Sequence, residues 1–408
     1  MLLASQSAVA LEILDLEGAL TKALVNHPMI MAAKANYDAE KSSIRSQQWL
    51  SDPMMGVMYE KNMSLMQQQM GPMTTLFFSQ DIQFPAKYYY RGQIQQNRAS
   101  FAKENLGQTQ LSLRRQVITS YFNLYSNQQI KALLEAQQDA LREVARIAES
   151  RHAIGAVSQQ DEMKAHVEQT LVENEHLVIL QEERALRARL VSLLGDSLDD
   201  NFSIPPDNAF PKANLPPNIS EVLYGNSRRL KQNNILINET TLQKRLALFN
   251  YAPDFRLGAK TMVGANRPDN NFGIFVEFSL PLWFFMRQTS EVSAASARAR
   301  EATRNLESTK RELLANAEEL SSKISTDGKL LQVYLTTLIP QAESTFNSSR
   351  AGYRAGRITF LELLDSERSV YAVRISYYRH IAEYVRNLVE LEELAGVSLS
   401  SLPFGELS

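Results

Sequence analysis

The chain repeats itself, and this internal repeat constrains its fold more than any local propensity does. Residues of the first half recur at an offset of 200 in the second half, and the offset becomes 201 past the middle of each half. The matched positions are Asn26 and Asn226, Pro53 and Pro253, Phe78 and Phe278, Lys87 and Arg287, Gly155 and Gly356, and Ser158 and Thr359. Matches this regular indicate one structural unit that is used twice.

Each repeat is predicted to contain a short helix, two strands, a long helix and a second short helix. Apolar residues spaced three and four apart indicate an amphipathic first helix over 16–50, with its counterpart over 219–250. Long helices follow over 87–154 and 287–353, and the second of them contains Pro340, which is expected to kink it. Because their apolar residues are small and sparse, these long helices need neighbours packed on their sides.

The repeat boundaries divide the chain into five segments. These are an N-terminal segment over 1–15, repeat 1 over 16–195, a proline-rich linker over 196–218, repeat 2 over 219–396 and a C-terminal tail over 397–408. The predicted strands span about 53–60 and 74–84 in repeat 1, and about 253–264 and 272–282 in repeat 2. The short apolar stretch at the amino terminus is either the end of a signal peptide or a frayed end.

The strand pattern indicates contact with lipid. Phe272–Leu282 alternates with a period of two, which makes one face of this strand entirely apolar, and Thr74–Phe84 repeats the pattern more weakly. Four strands cannot close a barrel, yet each has hydrogen-bonding edges that must be protected. Closure becomes possible if several chains each contribute four strands, and an apolar exterior on such a barrel favours a membrane.

Composition excludes several classes of function. The chain has no cysteine, so disulfides and thiolate metal sites are excluded, and its net charge of −2 gives no basic surface for nucleic acid. The sequence has neither a glycine-rich phosphate loop nor a G-x-S-x-G motif, so no enzymatic activity and no cofactor are expected. It also has no run of about 18 apolar residues, so no transmembrane helix is expected.

Three motifs carry a resemblance to a known family. Tyr353–Glu367 resembles the Y-x-x-G-x-x-[ST]-x-x-[DE]-[VL]-L-[DE] signature of the outer membrane efflux proteins, the TolC-like outer membrane factors. Arg151–Asp161 is a weaker form of the same signature in repeat 1. Phe78–Lys87 resembles the strand-to-helix turn of the heavy-metal branch, the CzcC- and CusC-like channels. The resemblance covers nearly the whole chain, from about Leu16 to Gly396.

The resemblance implies a mainly α-helical fold with a small β-barrel part. Three chains would form a twelve-stranded barrel in the outer membrane of a Gram-negative bacterium and a long α-helical barrel in the periplasm. The implied function is a passive exit channel of a tripartite efflux system, expected to be of the RND type and to export heavy-metal cations or drugs. Its partners would be a periplasmic adaptor protein and an inner-membrane transporter. A type I secretion exit duct and, from another class, a soluble coiled-coil scaffold are the alternatives.

The resemblance also assigns an acidic ring at the periplasmic aperture. Glu362 and Asp365 are three residues apart and so share a helix face. In the family this pair faces the tunnel, where a trimer would present two rings of carboxylates that favour cations. On spacing alone, an ordinary solvated helix face is the alternative.

Further tip residues would close the aperture and receive the adaptor. Asp161 and Tyr353 occupy latch positions of the family, and the alternative is that the two never meet. A family arginine is replaced by isoleucine in this chain, which leaves Arg350, Arg354 and Arg357 as substitutes. The residues expected to dock the adaptor are Gly155, Val157, Ser158, Gly356, Ile358 and Thr359.

The methionines and the histidines are potential metal ligands, and both groups are interpreted as structural residues. Seven methionines cluster in one stretch, and thioethers are soft ligands that suit Cu(I) or Ag(I), although methionine also fills strands and flexible loops. They are Met54, Met55, Met58, Met63, Met66, Met70 and Met73. The five histidines show no pair at metal-ligand spacing, and Glu162 with His166 is interpreted as a surface helix pair. No metal site is therefore predicted.

Overall fold

The computed structural model describes residues 12–60, 73–153, 158–195, 202–205, 211–264 and 271–403. In chain order its elements are β1 (Glu12–Ile13), α1 (Leu16–Asn26), α2 (Pro28–Gln48), β2 (Met54–Glu60), β3 (Met73–Ile82), α3 (Pro85–Ala153), α4 (Gln159–Leu194), β4 (Phe202–Ser203), α5 (Ile219–Asn226), α6 (Arg228–Phe249), β5 (Phe255–Gly264), β6 (Asn271–Phe278), α7 (Arg287–Val333), α8 (Ile339–Arg354) and α9 (Phe360–Ala395). The order of elements in the first half recurs in the second.

The chain forms two compact units. The sheet unit comprises Ala33–Leu106 and Arg229–Lys310, and the helical unit comprises Met1–Ala32, Gly107–Arg228 and Arg311–Ser408. Each unit is therefore built from both repeats, as a duplicated chain permits.

The sheet unit contains one antiparallel sheet in the order β2-β3-β5-β6. The central pair joins the two repeats, because β3 and β5 align over ten positions from Met73 opposite Gly264 to Ile82 opposite Phe255. Among the described residues, the outer edges of β2 and β6 pair with no other strand. The sheet therefore ends in two open edges.

The register places most of the large apolar side chains on one face. Directly opposite residues share a face of a sheet, and Val57 lies opposite Leu76, while Leu257 lies opposite Val276. The other face carries an ionic cluster, in which Arg256 donates to Asp81 at 2.6 Å. The strongly exposed apolar members of the first face are Met55, Val57, Tyr59, Leu76, Phe78, Leu257, Phe272, Ile274, Val276 and Phe278.

Two predicted strands end earlier than expected. The strand predicted over 272–282 ends at Phe278, and the strand predicted over 74–84 ends at Ile82. The Ser279 N–H donates to the backbone oxygen of Asp254 at 2.9 Å, and a turn follows in which the Phe284 N–H donates to Pro281 at 3.2 Å. Proline cannot donate to a neighbouring strand, so the apolar residues after Phe278 lie outside the sheet.

The first helix of each repeat is broken, which corrects the prediction of continuous helices over 16–50 and 219–250. The chain leaves the helical conformation at His27, directly before a proline, and at Ser227, which no proline follows. A proline disfavours helical geometry in the preceding residue, but this cause applies only to the first break.

A glycine at the end of another helix lies against each break. Gly195 ends α4 and Gly396 ends α9, with left-handed φ values of 73° and 72°. A Cβ atom on Gly195 would lie 3.1 Å from the backbone of Asn26, and one on Gly396 would lie 2.8 Å from the backbone oxygen of Asn226. Each glycine thus packs directly on a helix break, and this close contact is common to both breaks.

The helical unit contains an apolar core and a buried ion pair, in which Arg114 Nη1 donates to Glu392 Oε2 at 2.7 Å. The core cluster contains side chains of α3, α4, α8 and α9, including Leu134, Ala165, Tyr353 and Leu363.

A π-helical segment, Tyr334–Leu338, connects α7 with α8 just before Pro340, where the sequence predicts a kink. In the described part of the chain, no helix is both long and apolar enough to cross a membrane.

Candidate functional site

The α8–α9 turn has its expected local structure. Gly356 adopts a left-handed φ of 73°, and its N–H donates to the Tyr353 oxygen at 3.0 Å. The Arg357 N–H donates to the Gly352 oxygen at 2.8 Å. These bonds satisfy carbonyl groups that the end of α8 leaves free, and glycine adopts this conformation without steric cost.

A capping box begins α9. The Thr359 N–H donates to Glu362 Oε2 at 2.7 Å, and the Glu362 N–H donates to Thr359 Oγ1 at 3.3 Å. Threonine followed three residues later by glutamate is the sequence signature of this cap. Hydrogen bonds from the Thr359 backbone and hydroxyl lower the pKa of the Glu362 carboxyl and keep it ionised.

Glu362 and Asp365 both lie exposed in the first turns of α9. Their spacing places them on neighbouring positions of the helix surface. Glu362 also has a structural role as the capping residue, which the alternative interpretation as a plain solvated face did not include. The assignment of the pair to a ring that faces a tunnel stays a prediction.

The predicted latch is not formed as a hydrogen bond within the chain. Tyr353 is buried, and its hydroxyl has no hydrogen-bond partner among the described residues. Burial raises the pKa of Tyr353, and Asp161 lies close enough to raise it further. Asp161 is thus near Tyr353 but is not bonded to it.

Arg151, which the sequence does not single out, holds Tyr353 in place. Its Nη1 donates to the Tyr353 backbone oxygen at 2.6 Å, and its guanidinium lies 4.9 Å from the centre of the tyrosine ring. The arginines proposed as substitutes, Arg350 and Arg354, instead pair with Glu143 of α3. The arginine beside Tyr353 therefore comes from repeat 1, at a position opposite a glycine of repeat 2.

The tip turns differ in how much of them is described. Gly155 and Val157 lie outside the described residues. Ser158 begins α4 without a side-chain capping bond, whereas Thr359 begins α9 with one. Ile358 is partly buried against the core, so the exposed tip of repeat 2 consists of Gly356, Arg357 and Thr359.

A buried carboxyl near this tip was missed by sequence reasoning. Glu367 is fully buried, and neither of its oxygens meets the geometry of a hydrogen bond with a described residue, although the Gln137 side chain lies close by. Burial raises its pKa to about 8; Glu168 adds to this shift, while Gln137 and Arg368 partly offset it. Glu367 lies two residues after Asp365 and reads in sequence as another surface charge of α9.

The methionine cluster does not converge on one site in the described residues. Met54 and Met58 lie on the same strand four positions apart, which corresponds to about 13 Å. Met55 lies on the opposite face, and Met63, Met66 and Met70 lie outside the described residues, as does the side chain of Met73. The described thioethers are therefore too far apart to share an ion.

Comparisons with known proteins agree with this architecture. The family model described as "Outer membrane efflux protein" matches residues 19–196 and 220–397, once per repeat. The cobalt-zinc-cadmium resistance protein CzcC of Cupriavidus metallidurans is 25% identical over 392 residues, which cover 94% of this chain and 90% of that protein.

Solved structures share the fold. A membrane protein from Pseudomonas aeruginosa superposes with a TM-score of 0.84 at 15% identity, over 95% of this chain and 92% of that one. CusC, solved in work on transmembrane channel formation, superposes with a TM-score of 0.81 at 15% identity, over 95% and 94% of the two chains. The expected fold, mainly helical with a small sheet and two repeats, is confirmed, and a trimer with a shared barrel fits it.

Proposed function

The chain belongs to the outer membrane efflux protein family, and we propose that three copies of it form the passive exit channel of a tripartite heavy-metal efflux system. An outer membrane efflux channel is the function that the family establishes. The trimer, the passive mechanism, the cargo and the partners belong to the proposal. The partners would be a periplasmic adaptor and an inner-membrane transporter of the RND type, which supplies the energy.

The open sheet with its exposed apolar face carries this proposal. Ile274 and Val276 are 72% and 52% exposed in the single chain, an arrangement that lipid would cover. Unpaired strand edges in lipid cost several kcal/mol for each unsatisfied group. If β6 of one copy pairs with β2 of the next, three four-stranded sheets close into one barrel of about twelve strands without an edge.

Two observations favour metal cations as cargo. The CzcC protein named above is a cobalt-zinc-cadmium resistance protein and aligns along almost all of this chain. The exposed carboxylates of Glu362 and Asp365 would place six acidic groups at the periplasmic end of a trimer, where rings of this kind favour cations. The exposed tip of repeat 2, at Gly356, Arg357 and Thr359, would be available to the adaptor.

Single-channel recording of a double variant tests the acidic ring. Glu362→Gln with Asp365→Asn removes both charges and keeps the shape of the tip, because glutamine at the third position of the helix preserves a capping box. We expect the double variant to lose cation selectivity, measured as the reversal potential in a salt gradient, together with its sensitivity to block by divalent cations from the periplasmic side.

The matched control removes two exposed charges from the same helix far from the tip. Glu383→Gln with Glu390→Gln should leave the reversal potential unchanged, since both residues are exposed near the other end of α9. Equal selectivity in the wild type and the tip variant would show that Glu362 and Asp365 do not face the conduction path. Absence of any conductance from the wild-type trimer would count against the channel itself.

A further inference from the structure

Three metal-binding side chains meet where α3 ends and α4 begins. Glu162 and His166 are four apart on α4, and Glu149 reaches them from α3. One ligand atom from each lies within 4.8 Å of the other two. We propose that Glu149, Glu162 and His166 form a binding site for a divalent transition-metal cation such as Zn²⁺.

The donor set has the chemistry and the size of such a site. Zn²⁺ binds imidazole nitrogen and carboxylate oxygen at about 2.0–2.2 Å, so ligands of one ion lie no more than about 4.4 Å apart. The observed grouping needs only small side-chain rotations to reach this spacing. Two protein carboxylates and one imidazole leave a position open for water, and the imidazole favours Zn²⁺, Co²⁺ or Ni²⁺ over Mg²⁺ and Ca²⁺.

His166 is also oriented as a ligand. Its Nδ1 lies 3.3 Å from Gln169 Oε1, to which it donates in the tautomer that leaves a lone pair on Nε2. That Nε2 lies 3.8 Å from Glu149 Oε1. A second hydrogen bond that fixes the tautomer and ring orientation is a regular feature of metal-binding histidines. The surface-pair interpretation of Glu162 and His166 does not account for Glu149, which approaches His166 from α3.

Repeat 2 lacks this donor set. At the offset of 201 residues that relates the tips, the corresponding residues are Arg350, Leu363 and Glu367. If the shared fold required these three residues, similar residues would occur at the corresponding positions of both helical hairpins. The three ligands are therefore specific to repeat 1, and an ion between them would join α3 to α4 beside the tip turn, once in each chain.

Zinc binding to the full-length, tag-free protein in detergent tests the site. Titration calorimetry with ZnCl₂ should show one saturable ion per chain. His166→Gln should weaken this binding by about tenfold or more, because loss of even an outer-shell partner of a ligand commonly costs that much. Glu149→Gln should weaken it to a similar degree. MgCl₂ at the same concentration should not displace the zinc. Circular dichroism and the trimer mass of each variant verify that it folds.

A histidine on the same pair of helices provides the control. His176 of α4 lies 3.4 Å from Glu135 of α3, but this pair belongs to no three-ligand group among the described residues. His176→Gln should leave zinc binding unchanged. The site is overturned if the wild type binds no zinc, if His166→Gln binds it as tightly as the wild type, if His176→Gln weakens binding equally, or if Mg²⁺ competes equally.

The outcome is independent of the proposed cargo. Zinc binding at this tip would stand even if the channel exports drugs, because the readout is binding to the purified protein and not transport. Conversely, loss of cation selectivity in the Glu362 and Asp365 variant would stand even if zinc does not bind. The two experiments therefore fail separately.

Discussion

Glu367 makes the stability of α9 near the α8–α9 turn depend on pH in a direction that can be calculated. Its pKa is about 8 in the folded chain against an ordinary value of 4.5. The folded state therefore holds more protons than the unfolded state between these two values, and stability falls as pH rises through that window. At 1.36 kcal/mol per pKa unit, the cost at pH 7 is about 3 kcal/mol.

Glu367→Gln removes this cost, because the amide keeps the shape of the protonated acid and does not ionise. Hydrogen exchange of α9 amides around position 367 measures the effect, with variant and wild type compared at the same pH. If local opening exposes the side chain, the variant should be protected on the order of a hundredfold more than the wild type at pH 7, and only about fourfold more at pH 5.

Glu362→Gln is the control with the opposite sign. Its carboxyl is exposed, and the Thr359 hydrogen bonds lower its pKa, so ionisation stabilises the folded state at neutral pH and this contribution is lost on acidification. The control should therefore lower protection at pH 7. A protection ratio between Glu367→Gln and the wild type that is the same at pH 5 and pH 7 would refute the reasoning, since Glu367 would then be ionised in the folded chain.

Two further variants test the packing of each unit. Ile274→Arg should cost about 2–4 kcal/mol and reduce detergent-resistant trimer on gels, whereas Arg at the adjacent Gly273, on the other face of β6, should assemble normally; equal assembly would mean that this face does not meet lipid. Glu392→Gln removes the carboxylate charge that the buried Arg114 contacts at 2.7 Å. It should lower unfolding stability by about 3–5 kcal/mol, and an unchanged denaturant midpoint would contradict the buried pair.

The fold follows from sequence wherever a local rule and the repeat agree. Period-two alternation locates the β6 strand and its apolar face, and the same pattern, although weaker, locates β3. The sequence predicts neither helix break, although Pro28 after His27 is a local signal for the first one; both breaks lie against a glycine, Gly195 or Gly396, that ends a distant helix. A glycine that ends one helix gives no sequence signal about which backbone it will touch.

The candidate site likewise has features that the sequence predicts and features that only the structure shows. The turn at Gly356 and the cap at Thr359 depend on residues within one helical turn, and the sequence predicts both. The contact of Arg151 with Tyr353 joins residues about 200 positions apart, and the burial of Glu367 depends on neighbours from α3 and α4. The residue spacing within one helix predicts neither the Arg151–Tyr353 contact nor the burial of Glu367, so only the structure shows them.

Repetition also indicates where chemistry specific to each tip lies. The backbone of both repeats obeys the same constraints of helix period, turn and cap, so residues that serve those constraints recur, as Gly195 and Gly396 do at two helix ends. Where the side chains at corresponding positions differ, the fold that the two repeats share does not require a particular residue. His166 is an exposed histidine, whereas its counterpart Glu367 is a buried carboxyl with a raised pKa. One position thus serves a candidate metal site in repeat 1 and a proton-binding carboxyl in repeat 2, on the same backbone scaffold.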